Sequence, residues 1–198
     1  MSGAVQNPDV DRFDEWACTY EKSIAQRWYF DPVHARMLDA IAQARPGEAP
    51  GAILDVGCGT GRYLRDAAQR WPGARLCGVD PAAGMIAEAR RLQPSIEFRA
   101  GAAESLDFPD GTFDGVSTSL SFHHWADQRQ GAREIARVLR PGGWFCLADH
   151  SFVIARWFGE KVRSRREIRG ILEAAGLRIR LTQSVPFRFV GITLADKG

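Results

Sequence analysis

The chain has 198 residues, 45% of them hydrophobic and 25% charged, with a net charge of +2. That length suits a single domain over residues 1–198 with one sizeable core, and the small net charge does not call for nucleic acid or a membrane surface as partner. Three further features point to a cytoplasmic chain with reduced thiols and neither disulfide nor metal: no apolar run reaches the roughly 18 residues of a membrane span, charges occupy the N-terminus, and Cys18, Cys58, Cys77 and Cys146 are scattered without a CxxC pair.

Asn7-Pro8-Asp9 reads as a helix start, and Val10, Phe13, Ala17, Tyr20 and Ile24 recur at helical spacing behind it. Asp31-Pro32 repeats the start signal for a second helix carrying Val33, Met37, Leu38 and Ile41, which Arg45-Pro46-Gly47 ends. These helices, residues 8–45, precede the first strand and can lie over a ligand site as a lid.

Next comes AILDVGCGTGRYL, Ala52 to Leu64. Ala52, Ile53, Leu54 and Val56 suit a strand buried on both faces. Gly57, Cys58, Gly59, Thr60 and Gly61 form a bend that needs a glycine-rich backbone, and a helix follows to Arg70. Strand, glycine bend and helix start in that order direct free backbone N–H groups at a small ligand. Asp55 is too costly to bury unpaired, so it is expected to accept hydrogen bonds from this bend.

The second strand, Arg75 to Val79, ends at Asp80, about 20 residues past the glycines, where an acidic ribose clamp belongs. Asp80-Pro81 is also a good helix start, and one carboxylate can serve both roles. The glycine spacing argues against a nicotinamide dinucleotide. In G-x-G-x-x-G the third glycine serves the pyrophosphate; here Arg62 holds that position and Gly61 comes one residue early. A nucleoside without phosphates fits better, and no Walker lysine is present.

A helix over Met85–Leu92, a strand over Ile96–Ala100 and a strand over Phe113–Ser117 follow. Ser119 to Trp125 then forms a loop beyond a strand's carboxyl end, where α/β ligands sit. Asp127 starts a helix carrying Ala132, Ile135, Val138 and Leu139, closed by Pro141-Gly142-Gly143. The fifth strand is Trp144–Ala148, with Asp149-His150-Ser151 again at the crevice. Three of the four histidines, His123, His124 and His150, thus fall where a base for a phenol or activated carbon would be needed. Only one of the adjacent pair can face a pocket, and His124 is favoured as the catalytic one.

Residues 156–169 are basic and read first as a solvated helix side, second as a contact for RNA or an acidic acceptor. Ser164 to Glu167 is a capping box, and Ile168, Ile171, Leu172 and Ala175 form an apolar face behind it. Leu177–Thr182 and Phe187–Leu194 close the chain as a hairpin around Pro186. Alternating strands and helices imply a parallel sheet covered on both faces, with an antiparallel end.

Taken together, ILDVGCGTG, GVDPAAGMIAEAR, GAAESLDFPDGTFDGV, SLSFHHWAD and LRPGGWF, in this order, resemble the motifs of the class I S-adenosylmethionine-dependent methyltransferases, of the small-molecule type that includes ubiquinone and menaquinone C-methyltransferases. The resemblance implies a Rossmann-like, seven-stranded α/β sheet ordered 3-2-1-4-5-7-6 with the last strand antiparallel. It implies S-adenosylmethionine as cofactor, S-adenosylhomocysteine as product and a small-molecule methyl acceptor. Cofactor contacts are then expected at Tyr20 (from W-A-x-x-Y), Asp55, Gly57, Cys58, Gly59, Asp80, Pro81, Met85 (against the adenine), Ala103, Glu104 and Ser119. Asp55 would reach the cofactor's ammonium, and Tyr20, Trp16 and Trp125 are candidates to face the sulfonium. Ala102 stands where the family usually has an aspartate for the adenine amino group; Ala103 backbone or Glu104 would substitute. A binding protein without catalysis, and an RNA methyltransferase using residues 156–169, are the alternatives. Monomer and dimer are both compatible with the sequence.

Overall fold

A seven-stranded sheet ordered β3-β2-β1-β4-β5-β7-β6 organises the molecule, as a computed structural model describing residues 8–21, 24–150, 162–186 and 189–198 shows. The strands are β1 Ala52–Val56, β2 Arg75–Asp80, β3 Glu97–Ala100, β4 Phe113–Ser119, β5 Leu139–His150, β6 Leu177–Val185 and β7 Val190–Lys197. The helices are α1 Pro8–Tyr20, α2 Ile24–Ala44, α3 Arg62–Arg70, α4 Ala83–Leu92, α5 Gln128–Val138 and α6 Arg165–Ala174. Strands β1 to β5 pair in parallel, and β7 runs antiparallel to both β5 and β6.

The alternation of side chains along β1 divides the core. Ile53 turns toward α2, α3 and α4, where Met37, Ile41, Leu64 and Ile86 are buried with it. Leu54 and Val56 turn to the other face, against Ile135 of α5 and Ile171 and Leu172 of α6. Trp71 and Trp144 close the bottom of the first layer, ring centroids 6.4 Å apart. None of the described helices is long and apolar enough to cross a membrane.

Local signals set the starts of two helices. Asp127 caps α5 through the amides of Arg129 and Gln130, and Ser164 with Glu167 forms the expected reciprocal cap of α6. Two expectations are corrected. Pro32 does not start a helix: α2 runs from Ile24 through it. The proline gives up one internal hydrogen bond there, and the rings before it supply compensation, Phe30 against Tyr20 and His34, Tyr29 against His150. Nor does Pro141-Gly142-Gly143 close α5, because Leu139 already belongs to β5 and pairs with Phe113. The three residues form a bulge, which lets β5 advance from Leu139 to Trp144 while β4 advances from Phe113 to Gly115.

Arg156 and Lys161 of the basic segment, Trp157, and the start of the expected last strand at Phe187 lie outside the described residues. Arg165, Arg166 and Arg169 are exposed on α6, away from its apolar face. Arg163 donates to Gln128 and pairs with Glu167, and Arg165 donates to Ser184.

Candidate active site

A cavity of about 370 Å³ opens at the carboxyl ends of β1, β2 and β4, under α1 and α2. The glycine bend forms one wall. Three of its amides are taken, which the expectation of free donors did not include: Gly57 and Cys58 both donate to the Val79 carbonyl, at 2.8 and 3.1 Å, and Gly59 donates to Asp80 Oδ2 at 2.8 Å. The bend is therefore folded back onto β2, and these three donors are not presented to the cavity. Gly57 has φ +72°, and a Cβ there would lie 1.8 Å from Ser121 Oγ. Gly59, at φ +53°, has open space where a Cβ would be.

Asp80 spans the bend and the next helix. Its second oxygen accepts the Ala82 amide at 2.9 Å, so the carboxylate holds the turn that leads into α4 and fixes Gly59 together, without capping the helix itself. Burial pushes its carboxyl up to about 6, against the downward pull of those two amides. Asp55 is also fully buried, and burial raises its carboxyl to about 8; the Ser117 hydroxyl, donating at 2.8 Å, opposes this and the Asp80 charge adds to it. Asp55 thus takes its hydrogen bond from Ser117 and not from the glycine bend, which corrects the sequence expectation. The two carboxyls face a wall that also carries Cys58, Pro81, Met85, Ala103 and Ser119. Ser119 Oγ is buried with no hydrogen-bond partner, although it lines an open cavity.

Glu104 lines the cavity, but its Oε1 accepts the Asp127 amide at 3.0 Å and so serves the start of α5. Ala102 lines the cavity beside it. Trp125 is at the wall too, its indole N–H donating to Ser121 Oγ at 3.1 Å, whereas Trp16 is half exposed and absent from the cavity lining.

The N-terminal helices roof this space. Phe13, Ala17 and Tyr20 of α1 cover Met85 and Ala82. Asp14 Oδ1 accepts the Gly84 amide at 2.7 Å, and α1 comes so near that a Cβ on Gly84 would lie 3.0 Å from the Asp14 carbonyl oxygen. Tyr20 lines the cavity, and burial lifts its hydroxyl to about 12 even though Arg62 pulls the other way. Just after α1, Glu21 accepts from the Thr60 hydroxyl of the glycine bend and pairs with Arg62 and Arg65 of α3, each at 3.0 Å. Arg62 also reaches Asp31 of α2 at 3.2 Å. His34 of α2 is buried at the wall, 3.3 Å from Asp66 and edge-on to Tyr63. Glu21, Arg62 and His34 were not singled out from the sequence. Nothing local marks them, since each finds its partner some thirty or more residues away.

Of the three crevice histidines only His124 lines the cavity. His123 is buried in the single 3₁₀ turn Phe122–His124, with Nδ1 2.6 Å from Asp149 Oδ1. His150, at the end of β5, meets the Tyr29 hydroxyl at 3.4 Å. The rings lie close, His123 to His124 at 4.0 Å and His123 to His150 at 5.1 Å. Among the described residues no cluster of acids, histidines or cysteines could hold a metal ion.

Residues 54–147 match the family described as a methyltransferase domain. The demethylmenaquinone methyltransferase of Chlorobaculum parvum is 42% identical over 136 residues, covering 66% of this chain and 55% of that protein. The chain spans about half the length of the curated relatives it matches. Among solved structures, the YcgJ protein of Bacillus subtilis superposes with a TM-score of 0.65 at 26% identity, covering 76% of this chain and 72% of that one. A SAM-dependent methyltransferase from Aquifex aeolicus shares the fold with a TM-score of 0.74 at 19% identity, over 98% and 100% of the two chains.

Proposed function

We propose that this chain, which belongs to the class I S-adenosylmethionine-dependent methyltransferases, transfers a methyl group to a small-molecule acceptor held between the glycine bend and His124. The observation that carries this reading is Asp80: a buried carboxylate tying the bend to α4 while still lining the cavity. Each oxygen takes one backbone amide and keeps lone pairs for the two hydroxyls of a ribose.

The rest of the wall fits the same cofactor. Asp11, Asp80 and Glu104 are at the cavity with Asp55, which can ionise against an incoming cation, and the arginine there, Arg62, is already engaged by Glu21 and Asp31. The local field therefore favours a cation, as a sulfonium requires. Asp55 is positioned for an ammonium, Ser119 Oγ offers an unused polar group, and Met85 and Ala103 offer apolar surface for a purine. Cys58, Gly57, Gly59 and Pro81 shape the wall. Bound there, S-adenosylmethionine supplies an electrophilic methyl group, so this chain's own work is to align the acceptor, exclude water and take up a proton. Helices α1 and α2 serve as the lid, and His124 serves as the base, with Phe13, Tyr20 and Phe30 offering aromatic faces to the acceptor.

Because several curated relatives are demethylmenaquinone methyltransferases, a naphthoquinol is the first acceptor class to assay. Cytoplasmic placement and freedom from any metal requirement belong to the same proposal. Calorimetry with S-adenosylmethionine and S-adenosylhomocysteine tests the cofactor half. Asp80→Ala should weaken both about tenfold to a hundredfold, the value of hydrogen bonds to a charged group. Equal affinity in wild type and variant would remove the ribose assignment.

A further inference from the structure

A second cavity lies at the other end of the strands, where α2 stops beside the amino ends of β1, β4 and β5. Its volume is about 190 Å³, and Ile41, Arg45, Pro50, Trp71, Arg140 and Trp144 are on its wall. We infer that it is a second ligand site, for an uncharged single-ring molecule that presents a carbonyl oxygen. The methyl-transfer reading does not enter this inference.

Arg45 sets the chemistry. One of its terminal nitrogens donates to Glu48 at 2.8 Å, and the other donates to the Gly142 carbonyl at 2.9 Å and to Asp196 at 2.7 Å. Three partners from three parts of the chain hold the guanidinium in place. Its Nε is buried and has no hydrogen-bond partner. A buried donor left unmade is costly, and a guanidinium only donates, so the wall calls for an acceptor. The carboxylates close by are already engaged. Asp114 takes the Ala52 amide on one oxygen and pairs with Arg140 through the other, and the two oxygens of Asp196 go to Arg45 and Arg180. A guest that brings an oxygen acceptor is therefore matched, and one that brings only donors is not.

Charge and shape narrow the class. Arg45 is paired with Glu48 and Arg140 with Asp114, so the wall has no unmatched charge to compensate a buried ion. The rings of Trp71 and Trp144 are buried at the wall, their centroids 6.4 Å apart and their planes tilted by 40°, and Ile41 adds aliphatic surface. Such a lining favours a flat apolar body. The volume is below the roughly 300 Å³ at which drug-sized pockets begin, which leaves room for one ring with a short substituent.

Nuclear magnetic resonance on the whole chain tests the site, through the Arg45 Nε–H and the indole N–H signals of Trp71 and Trp144, each assigned by connection to its own backbone. Benzamide is the probe, with benzoate as its charged counterpart and toluene as its counterpart without an acceptor. Benzamide should move all three signals along one binding curve, with Kd on the order of 1 mM for a ligand this small. Toluene should bind at least about tenfold more weakly for want of the hydrogen bond, and benzoate likewise for its uncompensated charge. Arg45→Lys keeps a cation beside Glu48 and Asp196 but removes Nε, and should bring benzamide down to the level of toluene. Saturating S-adenosylhomocysteine should leave the benzamide shifts in place. An Arg45 Nε–H unmoved at about 10 mM benzamide, equal affinity for benzamide and toluene or for benzamide and benzoate, or loss of the shifts to S-adenosylhomocysteine overturns the inference. If Arg45→Lys does not fold, the three probes on the wild type decide alone.

Discussion

Phe13 stands edge-on to His124, their ring centroids 5.3 Å apart and their planes 80° to each other. The contact joins the first helix of the chain to the acceptor end of the sheet. A displacement of α1 therefore changes the surroundings of His124 directly.

The seat of α1 on α4 is testable at Gly84. A valine there would drive its Cβ against the Asp14 carbonyl oxygen and Ala17, at 3.0 and 3.3 Å. Gly84→Val should lift α1 without disturbing the sheet. Hydrogen exchange should quicken about tenfold within residues 8–20 and stay unchanged in β1 and β4, with a stability cost of about 1–2 kcal/mol. Uniform acceleration across the chain would show that α1 is not a separate unit.

Glu21 couples the roof to the cavity floor in a pH-dependent way. Burial alone would raise its carboxyl, but the Thr60 hydroxyl and the Arg65 and Arg62 charges outweigh burial and hold it below the ordinary value. A depressed carboxyl contributes stability that is present above its unfolded value, near 4.3, and is lost as pH falls through the folded one. Glu21→Gln should therefore cost about 1 kcal/mol at pH 7 and distinctly less at pH 3. Thermal melts at the two pH values measure it; an equal cost at both would mean that packing, not charge, is what Glu21 supplies.

Gly57 and Gly59 of the bend separate folding from binding. Gly57→Ala forces a Cβ into Ser121 and should destabilise the chain by about 2 kcal/mol or more. Gly59→Ala puts its Cβ into open space, so only the left-handed strain of about 1–2 kcal/mol applies. Yet it narrows the cavity, and S-adenosylhomocysteine should bind at least tenfold more weakly. Denaturant titration and calorimetry on both variants check the contrast.

Asp55 makes the opposite prediction to Glu21. Its folded value of about 8 lies far above the unfolded one, so its contribution to stability is full below about pH 4 and declines as pH rises toward 8. Asp80, at about 6, acts in the same direction over the lower part of that window. Asp55→Asn stays neutral and should melt a few degrees above wild type at pH 9, with the difference vanishing near pH 4. Binding of a cation beside Asp55 should expel a proton at pH 7, which calorimetry in buffers of different ionisation heat would register in wild type and not in the variant. Absence of that proton release would separate Asp55 from the ligand's positive end.

Much of this was legible along the chain. The buried character of AILDV, the acid at Asp80 and the caps at Asp127 and Ser164 are local patterns, and local physics decides them. The helix start read at Asp31-Pro32 failed because aromatic packing from distant rings outweighs one lost hydrogen bond. The amides of Gly57, Cys58 and Gly59 depart from the pattern for a related reason: donors that look available in a strand–bend–helix sequence are taken by Val79 and Asp80 of a neighbouring strand. Glu21 with Arg62 and Arg65, and His123 with Asp149, depend on how α1 and β5 come to rest, and spacing carries no trace of that.

With Gly57, Cys58 and Gly59 already bonded to the second strand, the wall that meets a ligand has its shape before any guest arrives. Capture should then be timed by the parting of the roof, with no slow ordering of the floor to follow, and traffic through the doorway would set the pace of each catalytic cycle.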